Sequence, residues 1–218
     1  MTDARKRIAI LISGRGTNMA KLIEAAEDSA YPAEIVGVVS DTPEAPGLLF
    51  AGGKGIGTIA LPRSDYAGKE AHDGAIDAAL EELGADIVCL AGYMRVLTAR
   101  FVEKWEGKLI NIHPALLPAF KGLDTHRRAI EAGVRIHGCT VHFVTAEMDG
   151  GPIIAQAAVP VLAGDTEETL AARVLKAEHR LYPLALRLVA EGKVRMGDIG
   201  AILRRGDAAV EDAVLLSG

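Results

Sequence analysis

The stretch IAILISGRGTNMAKLIEAAED (residues 8–28) decides the fold. Ile8 to Ser13 is an apolar run closed by a small polar residue, the form of a strand. Thr17 to Asp28 puts Met19, Leu22 and Ile23 on one side of a helix, at i, i+3 and i+4. A glycine turn joins the two, as in the first half of a βαβ unit. The same alternation continues outward. Glu34 to Ser40 reads as a strand, and Ala45 to Ala51 as a short helix whose following glycines supply its C-cap. Thr58 to Leu61 is a third strand and Gly68 to Leu83 a third helix. Asp86 to Ala91 (DIVCLA) is almost wholly apolar, as expected where both faces of a strand are covered. Thr98 to Trp105 reads as a helix and Lys108 to His113 as a strand. The pattern predicts a parallel sheet with helices on both faces.

The second half changes character. Arg135 to Thr145 and Pro152 to Val159 are extended runs joined by a glycine-bearing loop. Asp165-Thr166-Glu167-Glu168 has the form of a capping box, with a carboxylate three residues after the cap. The helix behind it carries a stripe of Leu170, Val174, Ala177, Leu181, Leu184 and Leu188, and Pro183 should kink it. From Arg195 onward the chain reads as a strand plus tail. The expected fold is α/β: a Rossmann-like, doubly wound, mostly parallel sheet with an antiparallel C-terminal extension.

With 218 residues, 50% hydrophobic and 24% charged, the chain can bury roughly 70% of its unfolded surface without disulfides. Its 29 acidic against 24 basic residues give a formal charge of −5, which lacks the basic footprint of a nucleic-acid binder. Aromatics at 4% leave few platforms for stacking bases. Cys89 and Cys139 lie in separate apolar runs and read as buried strand thiols of a reducing compartment. No run approaches the roughly 20 apolar residues of a membrane span, and the first apolar run stops at Ser13, too short for a signal peptide. A cytoplasmic protein without nucleic-acid or membrane partners is expected.

Three constellations carry chemistry. Ser13-Gly14-Arg15-Gly16-Thr17-Asn18 follows a strand and opens a helix, where backbone N–H groups can hold an anion. Thr17 or Asn18 can also cap that helix, and a tight turn that binds nothing fits the glycines equally well. As a dinucleotide fingerprint it is imperfect, because Met19 holds the third glycine position, although Asp41 supplies the acid after the second strand. In Asn111-Ile112-His113-Pro114 the two polar residues share one strand face at its C-terminal end, where ligands bind in open α/β sheets. Asp149-Gly150-Gly151-Pro152 is by default a turn in which Asp bonds its own backbone. Brought beside His113, that carboxylate would orient the ring and balance its charge. His137 and His142 are five apart and fall on opposite strand faces, and His72, His126 and His179 have no ligand spacing, so no metal is expected.

Together these segments resemble the folate-dependent formyltransferases. The resemblance rests on ILISGRGTNM (10–19), LAGYMRVLT (90–98), LINIHPALLP (109–118), HGCTVHFVTAEMDGGPI (137–153) and VPVLAGDTEETLAARVLKAEHRLYP (159–183). NIHPALLP and MDGGPI belong to the whole superfamily, and SGRGTN looks like its phosphoribosylglycinamide formyltransferase branch. The resemblance implies formyl transfer from 10-formyltetrahydrofolate, as cosubstrate, to the amine of 5-phosphoribosylglycinamide. It implies that Asn111 and His113 stabilise the oxyanion and Asp149 assists proton transfer, with substrate binding by Gly16, Thr17, Asn18 and Glu178. Folate contacts are implied for Met94, Arg95, Val96, Leu97, Asn111, Thr145, Ala146, Glu147, Met148 and Asp149. Lys69 falls near a position where the family carries a folate-contacting Arg, keeping the charge but losing the planar fork.

A single domain over 1–218 is expected, with a phosphate-binding half (1–105), a catalytic and folate half (106–192) and a tail (193–218). Small-molecule substrates and an isologous homodimer are the expected partners. The rivals are a formyltetrahydrofolate deformylase-like hydrolase, a nucleotide-binding Rossmann module and a dehydrogenase using Gly14, Gly16 and Asp41. The tRNA-directed branch of the superfamily carries a further C-terminal domain, whereas about 35 residues follow Pro183 here.

Overall fold

The computed structural model describes residues 4–197 and 200–203. Strands β1 (Lys6–Ile12), β2 (Ala33–Ser40), β3 (Thr58–Ala60), β4 (Ile87–Leu90), β5 (Leu109–His113), β6 (Ile136–Phe143) and β7 (Ile153–Pro160) form one sheet. Their order is β3-β2-β1-β4-β5-β6-β7. Neighbours from β3 to β5 pair parallel, and β6 and β7 pair antiparallel. The sheet is thus mixed, as the sequence predicts. Chain order reverses beside β1, since β2 lies on one side and β4 on the other, and such a switch opens a crevice at the strands' C-terminal ends.

Period-two alternation divides the core. Ile8, Ile10 and Ile12 of β1 pack with Met19, Leu22 and Ile23 of α1 (Thr17–Ala26) and with Leu170, Val174 and Leu181 of α6 (Glu167–Ala190). Ala9 and Leu11 point the other way, toward Ile76 and Leu80 of α3 (Lys69–Glu82) and Phe101 and Val102 of α4 (Ala99–Lys104). The apolar strand β4 is buried at every residue, including Cys89, and Cys139 is buried in β6. Burial pushes both thiols up to about 12. Among the described residues no helix is long and apolar enough to cross a membrane.

Several local expectations change. Helix α2 (Pro46–Gly53) absorbs Gly52 and Gly53, and the positive-φ glycine after it is Gly55. The capping box sits one residue later than expected and is built from hydroxyls. Thr166 Oγ1 accepts from Thr169 N, and Thr169 Oγ1 accepts from Thr166 N. Asp165 instead takes both guanidinium nitrogens of Arg173, at 2.6 and 2.8 Å. Helix α6 runs through Pro183 to Ala190, and its buried face shifts toward Glu178, Tyr182 and Ala185. Leu184, about 100° around the helix from Ala185, is left 38% exposed. A helix absent from the sequence reading, α5 (Thr125–Glu131), has only Thr125 and Ala129 buried and so shows no apolar period. Within the expected tail (193–218), β8 (Val194–Gly197) pairs antiparallel with β9 (Gly200–Leu203), and residues 198–199 and 204–218 lie outside the described residues.

His137 of β6 is buried edge-on against the rings of Phe120 and His126. Neither of its ring nitrogens has a well-formed hydrogen bond among the described residues. Burial, with His126 alongside, pushes its pKa from 6.5 down to about 4. The unfolded chain therefore binds a proton that the fold refuses between those values, and stability is lost as pH falls through 6.5 toward about 4. This single group should account for about 3 kcal/mol across that window. Urea unfolding at about pH 7.5 and about pH 4.5 should show the loss, and His137→Gln should remove this group's share of it.

Candidate active site

Strand β5 ends in Asn111-Ile112-His113. Ile110 and Ile112 pack into the core shared with α1 and α6, whereas Leu109 packs with α3 and α4. Asn111 and His113 therefore face the α3 side together. Both line a cavity of about 540 Å³. Met94, Arg95, Val96 and Leu97, after β4, form one wall. Thr145 to Asp149, after β6, form another. Met94, Val96, Leu123 and Met148 leave exposed apolar surface at this cavity.

The His113 ring is held at both nitrogens. Nε2 lies 3.0 Å from the Phe120 carbonyl oxygen, which only accepts, so this nitrogen donates. Nδ1 faces Asp149 Oδ2 at 3.4 Å. The same carboxylate oxygen accepts from the Gly122 backbone N–H at 2.9 Å. The default turn, with Asp149 bonded to its own backbone, gives way to this long-range arrangement. Asp149 adopts φ 49°, and Phe120 and Asp124 in the facing loop adopt φ 55°. For residues other than glycine such conformations cost about 1–3 kcal/mol and persist where surrounding contacts fix them. Gly151 has a separate reason. A Cβ there would stand 1.8 Å from the Phe143 carbonyl oxygen, so only glycine lets the loop pass.

Asn111 Nδ2 lies 3.3 Å from His142 Nε2. His142 is buried, its Nδ1 is 2.9 Å from the Phe143 carbonyl, and its Nε2 is 3.8 Å from Asp149 Oδ1. Burial lowers its pKa, opposed by the bond to Phe143 and the charge of Asp149. The sequence reading weighed this residue only as a metal ligand. Only the register of β5 against β6, which sets Asn111 opposite His142, would have revealed it.

The remaining expected residues divide into two groups. Arg95 reaches the cavity wall, but its guanidinium turns toward α3. It pairs with Asp73 at 2.7 Å, touches the His72 ring and donates to the Lys69 carbonyl at 3.0 Å. Asp73 also accepts from Thr98 N, which fixes the start of α4. Lys69 itself lies outside the main cavity, in an adjoining pocket with Arg63, Ser64 and His72. Gly16, Thr17, Asn18 and Glu178 cluster at the start of α1. Gly16 is the N-cap residue at φ 66°, and among the described residues no side chain caps this helix, contrary to the role expected of Thr17 or Asn18. Asn18 instead donates to Glu178 Oε2 at 2.7 Å. Burial raises the Glu178 pKa, and the Asn18 bond opposes the shift. Ser13 joins the two groups: its N–H bonds the Gly92 carbonyl, and its hydroxyl accepts from Met94 N at 2.9 Å.

The family described as Formyl transferase matches residues 6–186. A phosphoribosylglycinamide formyltransferase of Escherichia coli is 43% identical over 196 residues, 90% of this chain and 92% of that one. A crystal structure of the Brucella melitensis phosphoribosylglycinamide formyltransferase is 60% identical, with a TM-score of 0.83 over 88% of this chain and all of that one. The trifunctional purine biosynthetic protein adenosine-3 of Gallus gallus is 51% identical over 90% of this chain, which spans only 20% of that protein's length. A formyltetrahydrofolate deformylase of Pseudomonas syringae shares the fold at a TM-score of 0.86 and 26% identity, covering 93% of this chain and 67% of that one.

Gly151→Ala should lower stability by about 2–3 kcal/mol and displace the Asp149 loop. Gly74→Ala on α3, where a Cβ meets nothing within 4 Å, should be neutral or slightly stabilising. Thermal midpoints of the two variants, measured side by side, check this contrast.

Proposed function

The chain belongs to the formyl transferase family, and on that premise we propose that it moves the formyl group of 10-formyltetrahydrofolate onto the amine of 5-phosphoribosylglycinamide, in purine biosynthesis. The observation that carries the reading is the convergence of Asn111, His113 and Asp149 on one cavity. The uncapped α1 N-terminus is tied to that cavity through Ser13. Gly16, Thr17 and Asn18 would hold the substrate phosphate on backbone N–H groups, with Glu178 beside them for the ribonucleotide. Met94 to Leu97 and Thr145 to Asp149 would enclose the pterin. Lys69, in the adjoining pocket, would meet the anionic end of the folate.

The amine attacks the formyl carbon, the new C–N bond forms, and negative charge gathers on the formyl oxygen. The Asn111 NH₂ group would donate to that oxygen. Because His113 Nε2–H is committed to the Phe120 carbonyl, the proton available for the reaction is the one on Nδ1, facing Asp149. Asp149 would balance the imidazolium and help carry the amine's proton to the departing folate nitrogen as the old C–N bond breaks. Seating both substrates against one sheet edge removes the entropy cost of their encounter. No covalent enzyme intermediate is needed.

A hydrolytic reading has the deformylase likeness in its favour, yet it leaves the uncapped α1 and the buried Asn18–Glu178 pair without a ligand. The proposal extends to a cytoplasmic, single-domain enzyme with the halves 1–105 and 106–192, working as an isologous dimer. Two buried free thiols accord with a reducing compartment.

Consumption of 10-formyltetrahydrofolate should depend strictly on added glycinamide ribonucleotide. An equal rate without the amine would make the protein a hydrolase. Asn111→Ala should lower kcat by about 10²–10³, the cost of removing one donor from a developing oxyanion, and His113→Ala by about 10²–10⁴, the cost of removing a positioned proton-transfer group. Near-normal turnover of either variant would remove that residue from the mechanism.

A further inference from the structure

His142 stands outside the trio assigned above, yet it makes a contact with that trio which fixes a proton. Its Nδ1 lies 2.9 Å from the carbonyl oxygen of Phe143, which can only accept. Nδ1 therefore carries the hydrogen. Burial favours the neutral ring, so Nε2 holds a lone pair. Asn111 Nδ2 lies 3.3 Å from that lone pair, and only the NH₂ end of a carboxamide can donate to it. One amide proton is thereby bound to His142, and the other is left for the cavity. The charged groups facing this ring are Asp149 from the loop after β6 and Lys121 from the loop after β5, with His113 from β5 also nearby.

We propose that His142 is a positioning residue for formyl transfer, which acts as a hydrogen-bond acceptor to hold the Asn111 carboxamide with its NH₂ group toward the reacting oxygen. The inference rests on the formyl-transfer reading above. Without an acceptor at that place the carboxamide is free to rotate by half a turn. Its carbonyl oxygen would then face the developing negative charge. The amide would thus repel the transition state that it should stabilise, while substrate binding elsewhere in the cavity stays as it was.

Four variants of the full chain test this: His142→Leu, His142→Gln, Asn111→Ala and the double variant Asn111→Ala/His142→Leu. His142→Leu should lower kcat about 10- to 100-fold, with KM for both substrates within about twofold of wild type. His142→Gln, whose side-chain oxygen can accept from Asn111, should recover much of that loss. In the Asn111→Ala background, His142→Leu should add less than about a twofold further loss, because the two residues act as one unit. An equal penalty in both backgrounds, or unchanged kcat in His142→Leu, would overturn the proposal. Nitrogen-15 shifts of the histidines in unmodified protein give an answer even where a variant fails to fold. They should show His142 protonated on Nδ1 alone, and a proton on Nε2 would overturn the proposal. A wild-type chain with no transferase activity would defeat the functional reading instead, whatever the tautomer.

Discussion

The antiparallel pairing of β6 with β5 is the constraint on which the site depends. In the parallel part of the sheet each strand's neighbour presents its C-terminal end at the same edge, and the intervening helix covers a face. At β5 that regularity stops. Asn111 meets His142 and His113 meets Thr140 across the pair. Reversing the strand also returns the chain, through residues 144–152, over the face on which Asn111 and His113 project. Asp149 is delivered by that return. A parallel strand in the same place would offer neither an imidazole opposite Asn111 nor a short loop ending beside His113.

The loops around the cavity are locked by contacts that cross from one to the other. Gly122 N–H bonds the Asp149 carboxylate, Lys121 pairs with Glu147 at 2.7 Å, and the Phe120 carbonyl takes the His113 proton. Among the described residues the three non-glycine residues at positive φ, Phe120, Asp124 and Asp149, all lie in these two loops. Their conformational cost must be offset, and the twisted, fully packed sheet beneath them supplies the rigidity that does so. The exposed Lys121–Glu147 pair contributes little energy by itself. The buried contacts to His113 and Asp149 set the geometry.

Sequence pattern revealed the middle of the sheet because β4 and most of β1, buried on both faces, read as unbroken apolar runs. Asn111 and His113 were legible for the same reason, since alternation alone puts them on one face. What the pattern missed depends on contacts far apart in the chain. α5 buries too few residues to mark a period. The cap of α6 was misplaced by one residue because Asp165, a good cap by composition, is taken by Arg173. The role of His142 follows from strand register, which pairs residues about thirty positions apart in sequence and leaves no local trace. Arg95 shows the converse: sequence placed it at the cavity, and a buried carboxylate on α3 turned its charge away.

The two halves of the site are joined through very few atoms. Ser13 closes β1, bonds Gly92 through its N–H and holds Met94 N through its hydroxyl. The glycine turn that follows it and the segment that walls the cavity are thus set by one residue at the switch point of the sheet. The proposed reaction of two substrates fits that geometry with a single core. An anion held by the turn and a flat ring held by the wall would lie on either side of Ser13, and the reacting groups would meet where β5 ends between them. The distance between the two binding regions is then a property of the sheet spacing rather than of any mobile loop. A shift in the register of β1 against β4 would separate the two proposed binding regions without removing a single side chain from either.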